Sequence, residues 1–220
     1  MRMKTSDLID TLVAKASPVR PLRPPALRAA LWLLIAATIL ALLAISHGLR
    51  PDLAVKFQQQ TFIVGVAASL LTAVLAAIAA FFVSVPDRSR RWLLLPAPAL
   101  VVWMSTTGYQ CLTDWVSIRS DGMHWGETAD CFATVVLTSV PLWIVLLVML
   151  RYTAWLPSRA VGLAGSLAVA ALAASALSLF HSIDASAMIL MWNFGSAALL
   201  VMLGSIFGPK MFAWVAPRQS

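Results

Sequence analysis

The chain has 220 residues, of which 60% are hydrophobic and 11% are charged. An average globular protein has about a quarter of its residues charged, so the composition argues against a water-soluble domain and is typical of an integral membrane protein. The formal net charge of +7 gains a meaning only when the basic residues are placed along the chain.

The first polar segment, residues 1–28, precedes the first long apolar run. Its apolar residues Leu8, Ile9, Leu12 and Val13 recur at the spacing of one helical face, which predicts an amphipathic helix over residues 6–16. Ser17-Pro18 ends that pattern. A helix this short is marginal alone in water, so we expect a partner to stabilise it.

The charges of this predicted helix favour a protein partner. Interfacial helices on membranes usually have a lysine-rich polar face, whereas Asp7 and Asp10 here balance Lys4 and Lys15. A groove on another protein therefore fits better than a membrane surface. The rest of the segment contains four prolines and three arginines, and it predicts an extended tether between the helix and the bilayer. These residues are Pro18, Arg20, Pro21, Arg23, Pro24, Pro25 and Arg28.

Six uncharged apolar runs follow, each close to the roughly 20 residues that a helix needs to cross a bilayer. They are Ala29–Leu49, Phe57–Pro86, Trp92–Thr113, Cys131–Leu150, Ala160–Ile183 and Ala185–Pro209. The predicted fold is therefore all-α, a polytopic membrane domain of six transmembrane helices over residues 29–209, followed by a tail at 210–220. Trp32 and Trp92 lie near predicted span boundaries, where an indole ring prefers the membrane interface.

The lysines and arginines fix the predicted orientation, because positive residues remain on the cytoplasmic side. With a cytoplasmic N-terminus, thirteen fall inside: Arg2, Lys4, Lys15, Arg20, Arg23, Arg28, Arg88, Arg90, Arg91, Arg151, Arg159, Lys210 and Arg218. Three fall outside: Arg50, Lys56 and Arg119. Both termini are therefore predicted to be cytoplasmic. The net charge is then a topology signal, and we predict no direct contact with nucleic acid.

The predicted outer loop, residues 112–130, is flanked by Cys111 and Cys131. Two thiols at neighbouring helix ends on an oxidising face could form a structural disulfide, or they could sense oxidation or a thiophilic metal. Both interpretations stay open at this point. The loop also has His124 and four carboxylates, but without metal-ligand spacing we prefer solvated side chains and predict no metal and no cofactor.

The predicted spans contain few residues that could bind an ion or catalyse a reaction. They have no ionisable residue at mid-depth, which disfavours a pump or ion-coupled carrier, and the chain lacks the common catalytic motifs. Small residues at every fourth position of the fifth span predict a face for close contact with another helix. They are Gly162, Ser166, Ala170, Ala174 and Ser178. Chance spacing in an alanine-rich span explains the pattern equally well. The predicted protein is not an enzyme.

Several stretches resemble the NrsF-type family of six-span bacterial membrane proteins, which includes negative regulators of extracytoplasmic-function (ECF) sigma factors. The matching stretches are MKTSDLIDTLVAKASPVRPLRPP, SRRWLLLPAPALVVWM, GYQCLTDW, DCF and LFHSIDASAMILMWNFGSAAL. The resemblance implies that the N-terminal segment holds a sigma factor at the inner membrane. It also implies which residues take part: Asp7, Leu8, Ile9, Leu12, Val13, Pro18 and Arg20 as sigma contacts, and Cys111 and Cys131 as periplasmic thiols.

The resulting hypothesis is a bacterial inner-membrane anti-sigma factor that binds an ECF sigma factor and releases it on an envelope signal. Cys111 and Cys131 are candidates for the sensor. The alternatives are a six-span carrier or channel for a small solute and, third, a membrane redox protein. The identity of the sigma factor, the signal and the oligomeric state are not specified by the sequence.

Overall fold

The computed structural model describes residues 5–15, 23–85, 87–117, 125–151, 159–180 and 202. Within these residues all regular secondary structure is helical. The α-helices are α1 (Thr5–Lys15), α2 (Pro25–His47), α3 (Leu53–Lys56), α4 (Gln60–Val83), α5 (Ala97–Ser117), α6 (Trp125–Arg151) and α7 (Arg159–Phe180). A 3-10 helix, Arg90–Leu94, precedes α5. The predicted all-α class is confirmed.

Among the described residues, four helices are long and apolar enough to cross a membrane: Pro25–Ser46, Gln60–Val83, Ala133–Leu150 and Ala160–Phe180. They correspond to the first, second, fourth and fifth predicted spans. The third predicted span is occupied mainly by α5, whose stretch from Ser105 to Gln110 is polar and lowers its apolar character. The sixth predicted span lies outside the described residues except for Met202.

Helix α2 begins at Pro25, before the predicted start of the first span at Ala29. Proline suits the first turn of a helix because its missing N–H would have no intrahelical acceptor there. The helix ends at Gly48, whose φ of 78° favours glycine. The Gly48 N–H donates a hydrogen bond to the Ala44 carbonyl at 3.1 Å. Arg23 and Pro24 are thus the only described residues of the predicted tether outside α2.

The centre of the described bundle is the contact between α4 and α7. Of the α7 span, 72% is buried, against 17% for α2. Alanines dominate the buried face of α4, and small side chains let two helix backbones approach closely. Within this contact the Ser69 and Ser175 hydroxyls are hydrogen-bonded at 2.8 Å, while Thr72 donates to the Ala68 carbonyl. The hydroxyls of Ser69, Thr72 and Ser175 are therefore satisfied between or within the helices, whereas the buried Ser166 hydroxyl of α7 has no hydrogen-bond partner among the described residues.

Helices α6 and α7 approach tightly at Gly165, which is not in the predicted small-residue row. A Cβ atom added there would lie 2.6 Å from Cδ2 of Leu146, a fully buried side chain. Three members of the predicted row, Ser166, Ala170 and Ala174, are buried as expected. Gly162, also in the row, has open space where a Cβ would be.

The two glycines of α7 give a matched pair of substitutions. Gly165→Ala is expected to lower the free energy of unfolding by about 1–3 kcal/mol, because the enclosed Leu146 has little room to move. Gly162→Ala meets nothing, so it should be neutral or stabilising by less than about 1 kcal/mol. Thermal unfolding of both purified variants measures the difference. Equal stability of the two variants would contradict the observed α6–α7 packing.

Helix α2 lies at the edge of the described bundle. It buries Ala29, Trp32 and Ala36 against its neighbours, whereas Leu42 and Ile45 are among its exposed apolar residues. Such an exposed apolar surface suits a helix surrounded by lipid, because lipid tails are as apolar as the leucine and isoleucine side chains.

At the end of α2 a buried arginine connects three elements. Arg50 forms a bidentate ion pair with Asp52, with both N–O distances 2.7 Å, and its guanidinium lies 5.9 Å from the Phe62 ring centroid. The Arg50 backbone N–H donates to the Leu179 carbonyl at the end of α7. The Arg50 hydrogen bond holds the pKa of the Asp52 carboxyl below its ordinary value. The predicted outer residue Arg50 is thus a buried part of the fold.

Candidate partner-binding segment

Helix α1 forms where the apolar spacing predicts it, at Thr5–Lys15. Two of its apolar side chains, Ile9 and Val13, are 54% and 69% exposed. They are four residues apart and therefore lie on the same side of the helix. Covering both would remove apolar surface from water and contribute about 1–2 kcal/mol each. This surface, Ile9 with Val13, is called the α1 apolar face below.

The other described side chains of α1 are exposed as well. They are Thr5, Asp10, Thr11 and Ala14. Ala14 and Thr11 project away from the α1 apolar face, since they are separated from Ile9 by about 140° or more at 100° per residue. The helix therefore presents two different surfaces, one apolar and one polar or small, which can be varied independently.

The remaining predicted contact residues are placed by the backbone alone or lie outside the described residues. Asp7, Leu8 and Leu12 are positions of α1, and helical spacing puts positions 8 and 12 next to positions 9 and 13. Pro18 and Arg20 lie outside the described residues. The structure therefore brings the five helical candidates together on one element.

Arg28 attaches the start of α2 to the ends of two other helices. Its guanidinium donates to the Met149 carbonyl and lies 5.2 Å from the Phe81 ring centroid. Met149 belongs to the last turn of α6, where carbonyls lack intrahelical donors and positive charge is favourable. Arg28 therefore caps α6, and at 7% exposure it is not an accessible tether residue. Its predicted place in an extended tether is therefore wrong, since Arg28 is part of α2.

Trp32, one turn further along α2, makes a second hydrogen bond to α6. It is fully buried, and its indole N–H donates to the Leu142 carbonyl at 3.4 Å. The indole thus has a polar partner inside the bundle rather than in water, while its level relative to the membrane interface stays a prediction. The bond lies next to Pro141, which interrupts the helical hydrogen bonding of α6. Arg28 and Trp32 together hold the half of α6 that follows Pro141.

The two cysteines are positions within helices. Cys111 belongs to α5, which continues to Ser117, and Cys131 belongs to α6, which starts at Trp125. Both helices thus extend into the predicted loop 112–130. The side chains of both cysteines lie outside the described part of the structure, so their pairing stays a prediction.

The chain matches a known protein family. A family model described as NrsF, negative regulator of sigma F, matches residues 12–214. The chain belongs to the NrsF family. No curated protein and no solved structure matches the chain. The resemblance to NrsF proteins is thereby confirmed, and the family is one of sigma-factor regulators rather than of enzymes.

The NrsF match includes most of the elements described above. It begins within α1, at Leu12, and contains Val13, Arg28 and both cysteines. Pro18 and Arg20 also lie within it, whereas Asp7, Leu8 and Ile9 precede it. The α1 apolar face thus extends from the matched NrsF region into residues before it.

Two features of this NrsF chain escaped the sequence analysis, the α6 cap by Arg28 and the buried hydrogen bond of Trp32. In the sequence both residues resemble ordinary flanks of a membrane span. Their acceptors are backbone carbonyls more than one hundred positions away, and every helix has such carbonyls. A basic residue inside the first turn of an apolar run was the one available signal.

Proposed function

We propose that this NrsF protein holds an ECF sigma factor at the bacterial inner membrane through its N-terminal segment and so keeps it from RNA polymerase. The observation that supports this most directly is the α1 apolar face, with Ile9 and Val13 exposed on a helix that precedes the first candidate span. An amphipathic helix with exposed apolar residues one turn apart suits an apolar groove on a partner protein. The family name, negative regulator of sigma F, supports a sigma factor as that partner.

The proposed topology has six spans and cytoplasmic termini. It is supported by the distribution of basic residues, thirteen against three, and by the four helices that are long and apolar enough to cross a membrane. In this orientation α1 faces the cytoplasm, where a sigma factor is found. The loop between Cys111 and Cys131 faces the periplasm, and the bilayer is the second partner.

The proposed route of the signal follows α6. This helix carries Cys131 near its start, Pro141 in its interior and the Met149 carbonyl in its last turn. A change at the thiols that tilts or bends α6 would move the acceptors of Arg28 and Trp32. Because Arg28 lies in the first turn of α2, and α2 directly follows Arg23 and Pro24, such a movement would reposition the tether of α1. Release of the sigma factor would follow.

Sigma-dependent transcription in cells tests the proposed function. Deletion of the gene is expected to raise transcription from promoters of the regulated sigma factor, and the unaltered gene should restore repression. A gene with Leu8→Asp and Leu12→Asp should fail to restore it, because carboxylates do not fit an apolar groove. If deletion changed the uptake of a solute but no sigma-dependent transcript, the carrier or channel would be the better function.

The thiols are tested in the same cells. With Cys111→Ser and Cys131→Ser, a redox sensor would leave transcription unresponsive to added oxidant, while unstressed repression would persist. A purely structural disulfide predicts a response to oxidant equal to that of the unaltered protein, together with a lower unfolding temperature of the purified variant. The two measurements separate sensor from structural disulfide.

A further inference from the structure

A basic surface follows the end of α4. Arg88, Arg90 and Arg91 are all exposed, and Asp87 is the one carboxylate among residues 87–95. The 3-10 helix Arg90–Leu94 orders this stretch, since the Ser89 side chain accepts a hydrogen bond from the Arg91 N–H at 3.3 Å. Three positive side chains are thereby concentrated within four residues on a structured connection.

A shallow, open apolar groove adjoins these arginines. It is lined by Arg91, Trp92, Leu94 and Leu95, and Leu94 is 69% exposed. Trp92 stacks on Phe82, with 4.4 Å between ring centroids, which fixes the indole against the last turn of α4. The Arg88 guanidinium lies 5.8 Å from the centroid of the same Phe82 ring. Charged and apolar contact surfaces therefore lie side by side.

The groove and the arginines lie at the level expected for lipid headgroups. The candidate span of α4 ends at Val83, and the first arginine of the basic surface, Arg88, follows five positions later. An arginine at this depth meets phosphates, whereas an indole and an exposed leucine meet the upper part of the acyl chains. Basic pockets at the ends of transmembrane helices bind anionic lipid headgroups.

We propose that Arg88, Arg90 and Arg91, together with the groove of Trp92, Leu94 and Leu95, form a binding site for an anionic phospholipid. The guanidinium groups bind the phosphate, bidentately where geometry allows, and the groove contacts an acyl chain. Charge complementarity selects an anionic lipid, and the exposed Leu94 beside the span selects a ligand with a hydrocarbon tail. This site is independent of sigma-factor binding by α1.

The test uses the full chain purified in detergent and its thermal unfolding midpoint. Phosphatidylglycerol at about 100 times its dissociation constant should raise the midpoint by roughly 5–10 °C. Phosphatidylcholine with the same acyl chains, and inorganic phosphate alone, should raise it by less than half as much. Arg88→Gln, Arg90→Gln and Arg91→Gln together should remove more than half of the phosphatidylglycerol shift. These side chains are exposed, so the variant should keep its helical content, which circular dichroism checks.

A matched control removes three other basic side chains that are not among the predicted sigma contacts, by Arg2→Gln, Lys4→Gln and Arg23→Gln. This control should keep the full phosphatidylglycerol shift. An equal loss in both triple variants would mean unspecific attraction by net charge and would overturn the proposal. A full shift with inorganic phosphate would overturn it in favour of a free-anion site. An unchanged lipid shift in the Arg88, Arg90 and Arg91 variant, with sigma-factor binding lost instead, would identify a protein surface.

Discussion

Arg28→Ala is expected to lower the free energy of unfolding by about 2–4 kcal/mol, the largest stability effect of a single substitution considered for this chain. The substitution removes a charged hydrogen bond to the Met149 carbonyl, which is worth about 1.5–3 kcal/mol. It also removes the cation–π contact with Phe81, worth about 0.5–2 kcal/mol. The α6 cap and its attachment to α2 and α4 are lost together. Thermal unfolding of the purified protein measures the change.

Two further variants distinguish the loss of the α6 cap from the loss of side-chain volume and from the loss of one positive charge. Arg28→Met keeps the apolar stem and removes the guanidinium, so it should lose most of the same stability. Arg23→Ala removes an exposed arginine a short distance before α2 and should change stability by less than about 0.5 kcal/mol. If Arg28→Met were as stable as the unaltered protein, the guanidinium would not contribute through its hydrogen bond.

Ile9→Asp combined with Val13→Asp is expected to weaken binding of the sigma factor roughly 100-fold or more. Each substitution removes an apolar contact and leaves a carboxylate without a partner in an apolar groove, at a cost of about 1–3 kcal/mol per group. With about 1–2 kcal/mol more for each lost apolar contact, the two substitutions together cost at least about 4 kcal/mol. Since 1.4 kcal/mol corresponds to tenfold in affinity, this exceeds two orders of magnitude. The measurement is a titration of the reconstituted full chain with the purified sigma factor.

The control for this variant places the same two carboxylates on the other surface of α1. Thr11→Asp combined with Ala14→Asp adds equal charge to a helix of equal length, and both positions are exposed. Its affinity should remain within about threefold of the unaltered chain, the range of ordinary surface substitutions. Equal weakening by both double variants would indicate a charge effect on the segment rather than an apolar contact.

The helices that the sequence predicted well are those whose pattern is set locally. The amphipathic spacing of Leu8, Ile9, Leu12 and Val13 predicts α1, and the structure has that helix. Length and hydropathy predict the four candidate spans, because crossing a bilayer demands a long apolar run. The bounds were less accurate, since the start of α2 at Pro25 and the extension of α6 to Trp125 depend on helix-end geometry rather than on hydropathy.

The residues that join helices could not be predicted. Arg28, Trp32 and Arg50 were assigned to a tether, a membrane interface and an outer flank, yet each is buried with a polar partner. For Arg28 and Trp32 the acceptor is a backbone carbonyl of α6, and a carbonyl has no sequence signature. Gly165 shows the same limit: the row starting at Gly162 was chosen by spacing, but the tight packing at Gly165 depends on where Leu146 of α6 projects.

The central claim, that the N-terminal segment holds a sigma factor, is tested most directly by co-purification of the membrane-inserted chain with ECF sigma factors co-expressed one at a time. The comparison is between the full chain and a chain without residues 1–22, which keeps α2 and its Arg28 contacts. One sigma factor is expected to co-purify with the full chain and to be lost from the truncated chain. Equal recovery of that sigma factor with both chains would contradict the assignment of binding to α1.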